Sequence, residues 1–409
     1  MPLIADAASA RLLHNSLVDR RRAYGDAERS VLSEEKFEQA RREIGVWPGY
    51  AETPLVSLPG LAAAAGVAEI LYKDEAGRFG LGSFKALGGA YAVFRLLAER
   101  VAARNGGAAP DAQALARGDH HDITSAVTVC CATDGNHGRS VAWGARTFGC
   151  RAVIYIHSTV SDARRDAIAG FGAEVVRTAG TYDDSVRQAA ADAAANGWHV
   201  VSDTSYEGYM DVPRDVMQGY TVMTEEAIRQ LPDGRPPSHV FVQGGVGGLA
   251  AAVLAPFWQR YGTERPRFVV VEPERAACLY SSAEAGRPVA AEGDLDTLMA
   301  GLACGEVSLL AWQILSAGAD DFMTVADEAA LGVMRLLAAG TGGDVRLVAG
   351  ESAVAGLAGA LAALARPDLA DRLVLGPDSR ILVFGTEGDT DPALYQSIVG
   401  RSADAVRVS

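Results

Sequence analysis

From Ala126 onward, short apolar and β-branched runs alternate with Ala-rich segments of helical period: AVTVCCA, HGRSVAWGARTFG, RAVIYIH, SDARRDAIAGFGA, EVVRTAG, DDSVRQAAADAAANG and WHVVSDT. The order is βαβαβ. The strand runs are continuously apolar rather than alternating, which implies burial on both faces, and that is the signature of a parallel sheet covered by helices. A second series begins at HVFVQ and passes through a glycine loop into LAAAVLAPFWQRYG. It continues with RFVVVEPE, helices around Glu328 to Ala339 and Ser352 to Ala365, and the strand RILVFGTEG. The pattern predicts an α/β protein of two doubly wound domains with mostly parallel sheets. The join between the two series is expected from Asp203 to Gly219, a Tyr-, Gly- and Asp-rich segment that contains Pro213. The polar tract from Asn105 to Asp122 is expected to be a surface excursion.

Length agrees with this division, since 409 residues make room for two domains and 49% of them are hydrophobic. The 51 acidic residues outnumber the 37 Lys and Arg, and the formal net charge of -14 argues against nucleic acid or an anionic membrane as a partner. The longest apolar stretch, Gly244 to Trp258, is shorter than a transmembrane helix requires and holds several glycines. The N-terminus carries Asp6 and Arg11 and no basic-then-apolar segment, so no signal peptide and a cytoplasmic location are expected. The 5 cysteines, two of them adjacent at Cys130 and Cys131, make no disulfide scaffold. Without a CxxC pair or a His pair at i, i+4, no metal site is expected.

Four glycine-marked turns could carry chemistry. In GRFGLGSFKALGGAYAVF, the turn around Gly80 and Gly82 delivers Ser83, Phe84 and Lys85 to the start of a helix. Such a lysine is ordinarily solvated surface; here its apolar neighbours would lower its pKa and ready it for imine chemistry. In CCATDGNHGRSVAWGA a strand ends in Thr133, Asp134, Gly135, Asn136, His137 and Gly138 before a helix. The amides of that N-terminus suit an anion, although for this segment taken alone capping by Asp134 or Asn136, with His137 on the surface, is the better reading. In VFVQGGVGGLAAAVLA, Gly244, Gly245, Val246, Gly247 and Gly248 join a buried strand to a helix and let the backbone approach a single phosphate closely. The spacing is neither the dinucleotide GxGxxG nor a P-loop. In ILVFGTEGDTDP, Gly385, Thr386, Glu387, Gly388 and Asp389 follow a strand whose C-terminal end is a place for ligand contact, or simply a polar turn.

Together, the GSFK lysine, the GNHG loop, the glycine loop and the late strand ending in a hydroxyl residue resemble the pyridoxal-phosphate enzymes of the tryptophan-synthase β-like fold, from about Thr53 to Pro392. Within them KDEAGRFGLGSFKALGGAYAV, ATDGNHG, TLMAGLACGE, AGESAVAGL and FGTEGDTDP are most similar to the branch of ammonia-lyases acting on 2,3-diaminopropionate. The related serine and threonine dehydratases generally carry Ser where this chain has Asp134. The resemblance implies pyridoxal 5'-phosphate held in a cleft between the domains, with 1–91 and 206–409 as the large cofactor-binding domain and 92–205 as the small substrate-side domain. It makes Lys85 the residue joined to the cofactor, Phe84 its neighbour against the ring, and Asn136 the partner of the phenolic oxygen. Gly244, Gly245, Val246, Gly247 and Gly248 would bind the phosphate, and Thr386 would face the ring nitrogen. Thr133, Asp134, Gly135, Asn136 and His137 would hold the substrate, and Asp134 would be a second base beside Lys85. Ser83, Cys304 and Glu306 lie nearby without a definite role. The implied reaction turns 2,3-diaminopropionate, as both D and L forms, and water into pyruvate and two ammonia, in a homodimer. The alternatives are a serine or threonine ammonia-lyase or threonine synthase of the same fold, a noncatalytic cofactor-binding protein, and, from another class, a nicotinamide-dependent oxidoreductase. That last reading would use Glu272, at the end of VVVE, as its ribose partner.

Overall fold

The structure is a computed structural model that describes residues 7–133 and 135–408; Asp134 lies outside the described residues. The chain divides into two compact units. The first comprises Met1–Val31, Glu52–Gly77 and Met223–Ser409, the second Leu32–Ala51 and Arg78–Val222.

The first unit is built on seven strands: β1 (Arg11–His14), β2 (Leu55–Ser57), β3 (Glu69–Asp74), β8 (His239–Gln243), β9 (Arg267–Pro273), β10 (Asp321–Val325) and β11 (Arg380–Gly385). Their spatial order is β1-β10-β9-β8-β11-β3-β2. The five central strands run parallel, with Gln243 opposite Val271 and Gly385 opposite Asp74. The edges are closed by antiparallel β1 and β2. The continuous apolar runs are buried on both faces, as HVFVQ and RILVFG predict. Helix Ala355–Leu364, buried almost throughout, packs on the sheet so closely that a β-carbon on Gly356 would lie 2.7 Å from the Phe241 carbonyl oxygen. Strands β1, β2, β3 and β10 stand outside the runs that the apolar pattern singles out; β1 and β2 have only 4 and 3 residues, too few for a period to register.

The second unit holds four parallel strands in the order β6-β5-β4-β7: β4 (Thr128–Ala132), β5 (Arg151–Ile156), β6 (Glu174–Arg177) and β7 (His199–Val200). Helices Asn136–Phe148, Asp162–Ala169 and Tyr182–Asn196 connect them in the expected βαβ order. Ser161 and Thr181 cap the latter two through their hydroxyls. The tract 105–122 is not a bare excursion: it contains the helix Ala112–Arg117, whose Ala112 and Leu115 are buried.

The unit boundaries differ from the expected 1–91, 92–205 and 206–409. Helices Ala86–Arg104 and Asp211–Arg229 cross at glycines; a β-carbon on Gly219 would lie 1.8 Å from the Leu87 carbonyl oxygen, and one on Gly88 would lie 2.4 Å from the Tyr220 ring. So close a crossing carries both Lys85 and Tyr220 into the second unit. The segment 32–51 joins them through Trp47, whose ring lies 5.9 Å from those of Phe79 and Trp143. Phe79 takes a left-handed φ of 51° and packs 4.9 Å from Trp143, which fixes the turn leading to Lys85.

Candidate active site

In the second unit, Gly80 and Gly82 take φ of 70° and 76°, the left-handed turn that sends the chain into helix Ala86–Arg104 with Lys85 just before it. Lys85 is mostly buried. Its Nζ donates to Asp203 Oδ2 at 2.6 Å and lies 5.5 Å and 5.8 Å from the rings of Phe84 and Tyr220. Phe84 packs on Tyr220 at 4.6 Å, and both are buried, so the lysine stands against an aromatic wall. Ser83 is buried beside it.

Asp203 is a residue that sequence reasoning passed over. It follows β7 by three residues, and the C-terminal end of a parallel strand was the available signal. Burial pushes its carboxyl up, but the charge of Lys85 and the hydrogen bond from it prevail and hold it well below the usual carboxylate range. The pair is therefore ionised, an ammonium against a carboxylate.

His137 is buried rather than on the surface. Its Nε2 donates to the Val201 carbonyl at 2.8 Å, since a carbonyl only accepts, so Nδ1 carries the lone pair 3.8 Å from Asp203 Oδ2. Burial lowers its pKa and keeps it neutral. The loop ahead of helix Asn136–Phe148 is organised by Thr133, whose Oγ1 accepts the amides of Gly135 at 3.0 Å and Gly138 at 3.1 Å. Two amides expected to face an anion are thus already engaged. A β-carbon on Gly138 would meet the Thr133 methyl at 2.4 Å, so the close turn needs glycine there. Asn136 opens the helix.

In the first unit the glycine loop follows β8. Gly245 and Gly247 take φ of 65° and 96°, and a β-carbon on Gly244 would lie 2.6 Å from Glu272 Cγ. Gly248 begins the 14-residue helix Gly248–Tyr261, so the loop amides meet the positive end of its dipole. This is a cradle that side chains would fill, which fits a phosphate. Val246 accepts the Ser308 amide at 2.9 Å, and the Cys278 thiol donates to the Gly245 carbonyl at 3.4 Å. Cys304 lies on the same side of Gly245, its Sγ 3.8 Å from where a β-carbon would stand.

Glu272 is fully buried behind the loop, its two oxygens accepting the amides of Leu279 at 2.9 Å and Tyr280 at 2.7 Å. Burial raises its pKa to about 8, against the pull of those two amides. A carboxyl so engaged is not displayed to a ribose, which removes the ground for the nicotinamide reading.

Thr386 directly follows β11 and is buried, its Oγ1 accepting from Gln243 Nε2 at 2.6 Å. Gln243 is the polar last residue of HVFVQ, a second group that sequence reasoning passed over. Beyond Thr386, Glu387 Oε1 accepts the Ser352 amide at 3.2 Å, and Ser352 Oγ accepts the Gly301 amide at 2.9 Å. The three motifs GLACGE, AGESAVAGL and FGTEGDTDP are thereby tied together. Among the described residues no group of three or more His, Cys, Asp or Glu is arranged to hold a metal ion.

Known proteins resemble this chain along most of its length. A family model described as pyridoxal-phosphate dependent enzyme matches residues 46–386. The diaminopropionate ammonia-lyase of Escherichia coli strain K12 is 41% identical over 383 residues, covering 92% of this chain and 94% of that protein. The crystal structure of the Escherichia coli diaminopropionate ammonia lyase in complex with D-serine is similar at a TM-score of 0.87 and 37% identity, covering 97% of this chain and 98% of that one. Its complex with an aminoacrylate-PLP azomethine reaction intermediate is similar at a TM-score of 0.84 and 38% identity, covering 96% of this chain and 97% of that one.

Proposed function

The chain belongs to the pyridoxal-phosphate dependent enzymes, and from that premise we propose that it is an ammonia-lyase converting 2,3-diaminopropionate and water to pyruvate and two ammonia. The observation that carries this reading is the half-buried lysine of GSFK, paired at 2.6 Å with Asp203 against an aromatic wall in a chain 41% identical to an enzyme of that name. Lys85 would hold the cofactor, the Gly244 to Gly248 cradle its phosphate, Asn136 its phenolic oxygen and Thr386 its ring nitrogen. When bound, the cofactor supplies the electron sink for negative charge at the substrate's α-carbon.

The chain's own residues supply the protons. Lys85 Nζ takes the α-proton of the L-substrate and can return a proton to the departing β-amino group, which is a poor leaving group while neutral. Asp203 takes up the positive charge that Nζ then bears. Asp134 serves the D-substrate, and the D-serine bound in the similar Escherichia coli structure supports a site that admits D-amino acids. The same reading makes the protein a cytoplasmic homodimer. It is tested by incubating the purified protein with D- and L-2,3-diaminopropionate, L-serine and L-threonine and measuring pyruvate and ammonia. Two ammonia per pyruvate, formed from diaminopropionate far faster than any product from the hydroxy amino acids, is expected; faster turnover of serine or threonine overturns the substrate assignment.

A further inference from the structure

The Gln243 amide stands among three acceptors in the first unit. Its Nε2 lies 2.6 Å from Thr386 Oγ1, 2.9 Å from the Phe384 carbonyl oxygen and 3.3 Å from the Ala353 carbonyl oxygen, while its Oε1 has no hydrogen-bond partner. Reversing the amide would set its oxygen against two carbonyls and leave the NH2 group without an acceptor, so the orientation is determined by its surroundings. The carbonyls cannot donate. Thr386 Oγ1 must therefore be the acceptor of the bond from Gln243, and its own proton points elsewhere. Both residues are buried, so no bulk water competes for that proton.

We propose that Gln243 is a positioning residue that biases the polarity of the Thr386 hydroxyl: by filling one of its two lone pairs it turns the hydroxyl toward donating, so that the ring nitrogen it faces is kept unprotonated. The proposal rests on the reading that Thr386 faces the cofactor's ring nitrogen. A hydroxyl free to turn could accept from a protonated nitrogen as readily as donate to a bare one; Gln243, by occupying one of its two lone pairs, weights that choice toward donation. An unprotonated ring is the weaker electron sink, which favours prompt elimination over side reactions such as transamination.

The test is nitrogen NMR of the holoenzyme loaded with ring-nitrogen-labelled pyridoxal phosphate, recorded from mildly acid to mildly alkaline pH. In the parent protein the ring nitrogen is expected to stay unprotonated throughout; a protonated nitrogen overturns the proposal without need of any variant. In Gln243→Glu the new side chain accepts the Thr386 proton and reverses the hydroxyl, which should raise the protonated-to-unprotonated ratio about tenfold. Gln243→Met, which removes the donor without adding an acceptor, should give a smaller change of the same sign. Thr386→Val separates the two readings. If it moves the resonance and both Gln243 variants, shown to be folded by thermal unfolding, do not, the role of Gln243 is overturned while the placement of Thr386 stands. If none of the three moves it, Thr386 does not face the nitrogen and both fail. The ratio of pyruvate to transamination product, expected to fall about tenfold in Gln243→Glu, gives a second readout of the same protonation.

Discussion

Replacing Gly219 by Ala adds one methyl group at a place with no chemistry of its own. Its β-carbon would stand 1.8 Å from the carbonyl oxygen of Leu87, 2.8 Å from the carbonyl carbon and 3.1 Å from Tyr91 Cβ. A carbon and a carbonyl oxygen rest about 3.3 Å apart, so the crossing of helices Ala86–Arg104 and Asp211–Arg229 must open by roughly 1.5 Å. Backbone cannot turn aside as a flexible side chain can. Overpacking of this kind costs about 1–3 kcal/mol of stability. The larger effect is on position, because Leu87 follows Lys85 by two residues and Tyr220 follows Gly219 directly. Opening the crossing separates the Phe84 and Tyr220 rings, now 4.6 Å apart, and carries Lys85 Nζ off Asp203. A displacement of about 1 Å at a reacting group is worth roughly a hundredfold in rate. The expected result is a folded protein whose kcat/KM for diaminopropionate is at least about 100-fold lower. Gly376→Ala, where a β-carbon meets nothing within 4 Å, is the control that should leave both properties unchanged. Activity of Gly219→Ala within about threefold of the parent, with melting unchanged, would refute the claim that this crossing positions the lysine.

Three further outcomes follow from the same geometry. Lys85→Ala should abolish the near-visible absorbance of the bound cofactor and lower turnover by several orders of magnitude, since the attachment point and the proton carrier are lost together; substantial turnover would contradict the role of Lys85. Asp134→Asn, assayed with each enantiomer, should lose far more activity on D- than on L-2,3-diaminopropionate; equal losses would assign Asp134 to binding or to leaving-group protonation. Asp203→Asn should cost the cofactor-free protein about 2 kcal/mol at pH 7, the scale of a hydrogen bond between charged groups. The Asp203 pKa is depressed on folding, so its stabilising contribution is present above the ordinary value of 3.8 and is lost as pH falls through the lower folded value. The difference between parent and variant in urea melts should accordingly narrow below pH about 4, and a gap constant across that range would show that the pair is not what is lost.

What could be read from the chain depended on whether a feature is local. Strands β4 and β5 of the second unit are continuous apolar runs, and burial on both faces leaves that mark in any short window. The glycines of the 244–248 loop are likewise legible, because left-handed φ at Gly245 and Gly247 admits few other residues. Strands β1 and β2 were not, since edge strands of 4 and 3 residues are specified by the partners they pair with. The limits of the compact units differ from the expected domains for a similar reason. A glycine inside a helix shows that something comes near, but Gly219 does not say that Leu87 is what approaches.

The site divides along the same line. Lys85 announces itself through the turn that precedes it, whereas Asp203, 118 positions away, is one aspartate among many until β7 brings it within 2.6 Å of Nζ. Gln243 is a subtler instance, because a polar residue at the end of a buried strand invites a reading as a strand terminus. Its role depends on two carbonyls, at Phe384 and Ala353, that any residue in those positions would supply. Backbone groups carry no sequence signal, so a side chain positioned by them is visible only in the folded chain. The residues that touch the cofactor by the reading above were therefore accessible to motif, and those that set the proton on each of them were not. The two sets meet in pairs: Asp203 with Lys85 in the second unit, and Gln243 with Thr386 in the first.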